Sequence, residues 1–128
     1  MSDKKKIIIG SDHAGFEMKH SIISNLSNIE FKDIGTDSDE SVDYPDYANE
    51  LVKKIQSNSY SFGILICGTG IGMSMSANRT KDIRAALCLN TKMAELARQH
   101  NNANILLFGS RLISLQQAIK CLLVFLNT

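Results

Sequence analysis

Short, continuous apolar runs alternate along this chain with longer stretches in which apolar residues recur every three or four positions. The runs "IIIGS" (residues 7–11), "FKDIG" (31–35), "FGILI" (62–66), "RAALC" (84–88) and "NILLFG" (104–109) read as five strands. Met18, Ile22 and Leu26 fall at i, i+4 and i+8, which predicts a helix over residues 16–28. Tyr47, Ala48, Leu51, Val52 and Ile55 share one face of a predicted helix over 44–56. Further helices are expected over 72–79, over 91–100 with Asn90 or Thr91 as N-cap, and over 112–126.

Strands apolar on both faces, alternating with helices, imply a parallel sheet covered on both sides. The pattern therefore predicts one α/β domain over 1–128, a doubly wound (Rossmann-like) fold with a five-stranded parallel sheet and helices on both faces. Such folds bind ligands beyond the carboxyl ends of their strands. Residues in those places are Ser11-Asp12-His13, Gly35-Thr36, Cys67-Gly68-Thr69-Gly70, Leu89-Asn90 and Gly109-Ser110-Arg111. The chemically capable side chains gather there. In the last helix, Leu115, Ala118, Ile119, Leu122, Leu123 and Leu126 form one face, and Cys121, Val124 and Phe125 widen it. A helix apolar over most of its girth buries more than one side, which points to a homodimer interface.

Composition narrows the function classes. A net charge of +1 with no arginine-rich face argues against a nucleic-acid binder. No apolar run approaches the ~20 residues of a membrane span. The "IIIG" that follows "MSDKKK" is far shorter than a secretory h-region, so a cytoplasmic protein is expected. Cys67, Cys88 and Cys121 form no CxxC pair, and His13, His20 and His100 have no HExxH spacing, so neither a metal nor a cofactor is expected.

The one local concentration of glycine is "LICGTGIGMSMSANR", residues 65–79. Its G-x-G-x-G differs from the dinucleotide fingerprint, lacks the GK[ST] of a phosphate loop, and has Met73 where a cysteine phosphatase loop needs Arg. What remains is strand, glycine turn and helix, a geometry that offers backbone N–H groups to anionic oxygen or simply lets strand and helix pack closely. Cys67 stands at its mouth, where that field favours thiolate; Cys88 and Cys121 read as core. Asp12 suits a sugar hydroxyl or a helix cap, and His13 a phosphate. His20 reads as surface. His100 suits a helix C-terminus or an acid/base role, and Arg111 a phosphate. A thiol base, a histidine acid and an N–H cradle fit proton abstraction beside a carbonyl, and equally thiol acyl transfer.

The blocks "IGSDHAGFEMK", "DIGT", "DYPDYA", "GILICGTGIGMSMSANR", "IRAALC" and "RQHNNANILLFGSR" follow one another over nearly the whole chain. Together they resemble the ribose-5-phosphate isomerase B family, which also holds galactose- and allose-6-phosphate isomerases. The resemblance implies a metal-independent aldose–ketose isomerase of the pentose phosphate pathway, working through a cis-enediolate. It implies Cys67 as the proton-shuttling base, with Met73 where other members carry a catalytic glutamate. The N–H groups of Gly68, Thr69, Gly70, Ile71 and Gly72 would hold the enediolate. His100 would open the furanose ring, assisted by Asp12 and Thr69. Asn101 would bind substrate, Tyr44 would line the site, and His13 and Arg111 would meet the phosphate.

The resemblance further implies a homodimer or a pair of dimers whose sites combine two subunits, the His100-Asn101 segment reaching across. It also implies a tail similar to G-G-R-H-x-x-R with two phosphate-binding arginines. This sequence ends at Asn127-Thr128, so either it is a partial chain or the phosphate relies on His13 and Arg111. Losing two charged partners would cost several kcal/mol of binding, on the order of a few per contact. An isomerase of six-carbon phosphates and a non-catalytic sugar-phosphate module stand as the alternatives.

Overall fold

The computed structural model describes residues 5–128; the charged start of the chain, residues 1–4, lies outside the described residues. Five strands, β1 (Lys5–Ser11), β2 (Ile29–Asp33), β3 (Gly63–Cys67), β4 (Ala85–Leu87) and β5 (Ile105–Gly109), form one sheet in the order β2-β1-β3-β5-β4. Every pairing is parallel. The helices are α1 (Phe16–Asn25), α2 (Tyr44–Gln56), α3 (Ile71–Ala77), α4 (Thr91–Asn101) and α5 (Leu115–Asn127).

The period of two along each strand sorts the core into two layers. Ile7, Ile9, Ile64, Ile66, Leu106 and Phe108 pack with residues of α1, α4 and α5. Ile8, Leu65, Cys67, Ile105 and Leu107 pack with residues of α2 and α3. β1, β3 and β5 are thus buried on both faces, as their uninterrupted apolar runs predict. β2 and β4, at the sheet's edges, are not. From β1 the chain steps outward to β2, then returns across β1 to β3. The crevice at that reversal, beyond the strand ends, is where such a sheet binds ligands.

Some boundaries differ from those read off the sequence. α1 ends at Asn25, because Leu26 leaves helical geometry (φ −127°, ψ 75°) and β2 begins at Ile29 rather than Phe31. The buried residues of α1 are Ile22 and Lys19, so part of its inward face is polar. α5 starts at Leu115, where Ser114 caps it by accepting from the Gln117 N–H. Most of its apolar girth is used within the chain: Ala118, Cys121, Leu122 and Phe125 are buried, and Leu115, Ile119, Val124 and Leu126 pack beside them. The large apolar side chains that do face solvent include Tyr44, Ile71, Met75, Leu89 and Met93, which follow the carboxyl ends of β2, β3 and β4.

Candidate active site

Strand register brings the chemical residues to one edge of the sheet. Ser11 pairs with Ile66, and Cys67 with Gly109, so β1, β3 and β5 end nearly level. Beyond these ends the loops are tied to one another. The Ser110 N–H donates to the Cys67 carbonyl (2.8 Å), and the Arg111 N–H to that of Gly68 (2.9 Å). The Ser110 hydroxyl donates to the Ala14 carbonyl (2.8 Å), which ties the β5 loop to the turn after β1. The strand-end rule also selects Ser110, but hydroxyl bracing between remote loops leaves no local signal in the sequence.

The glycine loop has a physical reason at each position. Gly70 adopts φ +79°, a conformation a side chain disfavours, and this bends the chain back on Cys67. The Gly70 N–H then donates to the Cys67 sulfur at 3.1 Å, and Cys67 is only 3% exposed. A β carbon at Gly68 would stand 2.5 Å from the Arg111 guanidinium, and one at Gly72 would stand 2.8 Å from the Tyr44 ring. The loop is bare because Arg111 and Tyr44 lie on it. The Thr69 hydroxyl accepts from the Ile71 N–H (3.3 Å), and the first N–H groups of α3 have no partner within the helix.

The turn after β1 carries Asp12 and His13. Asp12 is buried and caps a single 3-10 turn, His13–Gly15, accepting from the Gly15 N–H at 3.1 Å. Gly15 lies so close to β3 that a β carbon there would sit 2.5 Å from the Ile66 carbonyl oxygen. His13 uses its Nδ1 to accept from the Val42 N–H at 3.1 Å. The other two cysteines are buried in the opposite core layer from Cys67, among residues of α4 and α5. Burial, and then the neighbouring Cys121, push the Cys88 thiol up to about 12, and burial raises Cys121 as well.

Two candidates stand elsewhere. His100 and Asn101 end α4, which returns the chain from the carboxyl end of β4 to the amino end of β5. There the Asn104 carbonyl accepts from Gly63 at the start of β3, and Arg84 donates to the Asn101 carbonyl. His100 is therefore a strand length from Cys67 in its own chain, roughly 13 Å along β3. A surface cavity of about 660 Å3 also opens at this amino edge, bounded by Phe62, Arg84 and Arg98. It belongs to the opposite end of the sheet from the thiol. So the structure gathers Asp12, His13, Tyr44, Cys67, Gly68, Thr69, Gly70, Ile71, Gly72 and Arg111, and leaves His100 and Asn101 apart.

Comparison with known proteins identifies the family and the fold. A family described as Ribose/Galactose Isomerase matches residues 7–128. Ribose-5-phosphate isomerase B of Escherichia coli is 46% identical over 116 residues, 89% of this chain and 78% of that protein. A ribose 5-phosphate isomerase of Thermotoga maritima superposes with a TM-score of 0.94 at 56% identity, covering 97% of this chain and 87% of that one. The Mycoplasma genitalium ribose-5-phosphate isomerase B, solved with bound ribulose-5-phosphate, gives a TM-score of 0.91 at 40% identity, covering 99% and 86%.

Proposed function

The chain belongs to the ribose/galactose isomerase family, and we propose that it interconverts ribose 5-phosphate and ribulose 5-phosphate. One observation carries the chemistry: the Cys67 sulfur, under the Gly70 N–H, lies in a bare glycine loop flanked by Arg111 and Tyr44. In the open-chain aldose, Cys67 takes the C2 proton. The C2–H electrons form the C1–C2 double bond, and the carbonyl electrons move onto O1. The resulting cis-enediolate is held by loop N–H groups, which act where charge develops. Cys67 returns the proton to C1 and the O2 proton passes to O1; the double-bond electrons take up the C1 proton, the O2–H electrons form the C2 carbonyl, and O1 becomes the C1 hydroxyl of the ketose. Arg111 supplies a permanent charge for the phosphate, and His13 a further contact.

Ring opening needs an acid, and His100 of the same chain stands too far away. We therefore assign His100 and Asn101 of a second copy to each site, with Asp12 and Thr69 assisting from the first. The exposed apolar side chains Ile71, Met75, Leu89 and Met93 fit burial against that copy. A homodimer with shared sites, working in the cytoplasm, is the reading adopted here.

The test is turnover of ribose 5-phosphate in deuterated water containing a chelator. Ribulose 5-phosphate should accumulate with deuterium incorporated at the exchanging carbons. Saturable binding without any exchange at C2 would reduce the protein to a sugar-phosphate binder. Higher kcat/KM on galactose or allose 6-phosphate would move the substrate to six carbons.

A further inference from the structure

The histidine at the end of β1 is joined to the protein through one ring nitrogen only in a particular protonation form. The Val42 amide donates to His13 Nδ1 at 3.1 Å. A ring that accepts at Nδ1 carries its proton on Nε2. An imidazolium would set a second hydrogen against the Val42 N–H and lose that bond. Val42 belongs to the polar segment between β2 and α2, residues 36–43, and stands two positions before Tyr44. The start of this segment is tied to β1 by the Thr36 N–H on the Ser11 carbonyl (2.9 Å). Val42 is the tie near its other end. The segment is also acidic, with Asp37, Asp39, Glu40 and Asp43. Carboxylates repel a phosphate, so charge alone does not draw this segment onto an anionic substrate.

We propose that His13 is a neutral two-ended link: its Nε2–H donates to a phosphate oxygen of the substrate while its Nδ1 holds Val42. Filling the phosphate position then orders the segment that seats Tyr44 against Gly72. This rests on the sugar-phosphate reading above and adds a route by which substrate binding organises the site. Arg111 carries the charge; His13 carries the coupling. His13 contacts the substrate, and Val42 is the positioning residue acting through it.

Two isosteres separate the ends of the ring. In His13→Asn the side-chain carbonyl takes the place of Nδ1 and the donor at Nε2 is lost. In His13→Gln the amide N–H reaches the Nε2 position and the acceptor for Val42 is lost. His13→Asn should keep the Val42 amide protected from hydrogen exchange and raise KM for ribose 5-phosphate roughly ten- to a hundredfold. His13→Gln should hold inorganic phosphate within a few-fold of wild type, yet exchange Val42 rapidly and lose kcat. In wild type, 15N spectra should show a pyridine-like Nδ1 and a pyrrole-like Nε2, and phosphate should slow Val42 exchange further. A proton on Nδ1 in the phosphate-bound protein overturns the link, as does Val42 protection unchanged in His13→Gln. The spectra and the exchange rates require no turnover. A wild-type protein that shows both signatures but does not isomerise would sink the isomerase reading and leave the link standing.

Discussion

The Gly70 amide aims its hydrogen at the Cys67 sulfur, 3.1 Å away and three residues back along the chain. That donor meets the sulfur proposed as the base, and the left-handed Gly70 is what turns it there. Serine at position 67 keeps an acceptor for the same N–H, so Cys67→Ser should fold normally. It is a far weaker base, so kcat should fall by about 10²- to 10⁴-fold with the melting temperature nearly unchanged. Near-wild-type turnover in this variant would remove Cys67 from the proton path.

Lys19 and Asp33 predict an asymmetry in stability. The Lys19 ammonium is 1% exposed and lies 2.7 Å from both carboxylate oxygens of Asp33, whose side chain is 39% exposed. Asp33 also accepts from the Gly35 N–H at 2.8 Å, so the pair ties α1 to the end of β2. Asp33→Asn keeps the Gly35 bond but strands a buried cation, at a cost of about 3 kcal/mol or more. Lys19→Met leaves a carboxylate that solvent reaches and puts a flexible apolar chain in the buried space. It should cost clearly less. Urea unfolding of the two variants decides the matter, and equal losses would refute it.

Alkaline stability should depend on Cys88. Its thiol is held up to about 12 by burial and then by Cys121, against an ordinary value near ~8.5 in an unfolded chain. Between these values the unfolded state has lost the proton and the native state retains it. The unfolded state binds fewer protons there, so stability falls as pH rises through this window and is fully present below it. Cys88→Ala removes that contribution while creating a small cavity. Its melting temperature should start lower at pH 7 and then decline less steeply than wild type between pH 9 and 11. Parallel declines would show that Cys88 ionisation is not the cause.

Much of this was readable in the sequence, and the unread part has common causes. Uninterrupted apolar strands gave away the sheet because β1, β3 and β5 are covered on both faces. The rule that ligands gather beyond strand ends then collected Asp12, Cys67 and Arg111 without any knowledge of strand order. The end of α1 was misjudged because Leu26, periodic with Met18 and Ile22, packs on the core from a non-helical backbone. Periodicity marks what is buried, not how the backbone runs there. Lys19 was invisible as a core residue because its ion partner is 14 positions away. The glycines at 68 and 72 looked like N–H donors, and their second reason, the overlying Arg111 and Tyr44, depends on loops remote in sequence.

The distance between His100 and Cys67 makes the final prediction. α4 carries His100 to the amino edge of the sheet, while Cys67 sits at the carboxyl edge. If each site joins Cys67 of one copy to His100 of another, two inactive proteins can repair each other. Cys67→Ser and His100→Asn homodimers should each be severely impaired. In a mixed dimer one site collects both lesions and the other collects neither, so that second site is wild type. After unfolding and refolding an equal mixture, half the dimers are mixed and half of their sites are intact, so about a quarter of wild-type activity should return under two-fold symmetry. The same mixture without subunit exchange should stay inactive. Failure to regain activity, with mixed dimers demonstrated by mass, would mean that His100 does not serve a neighbouring Cys67.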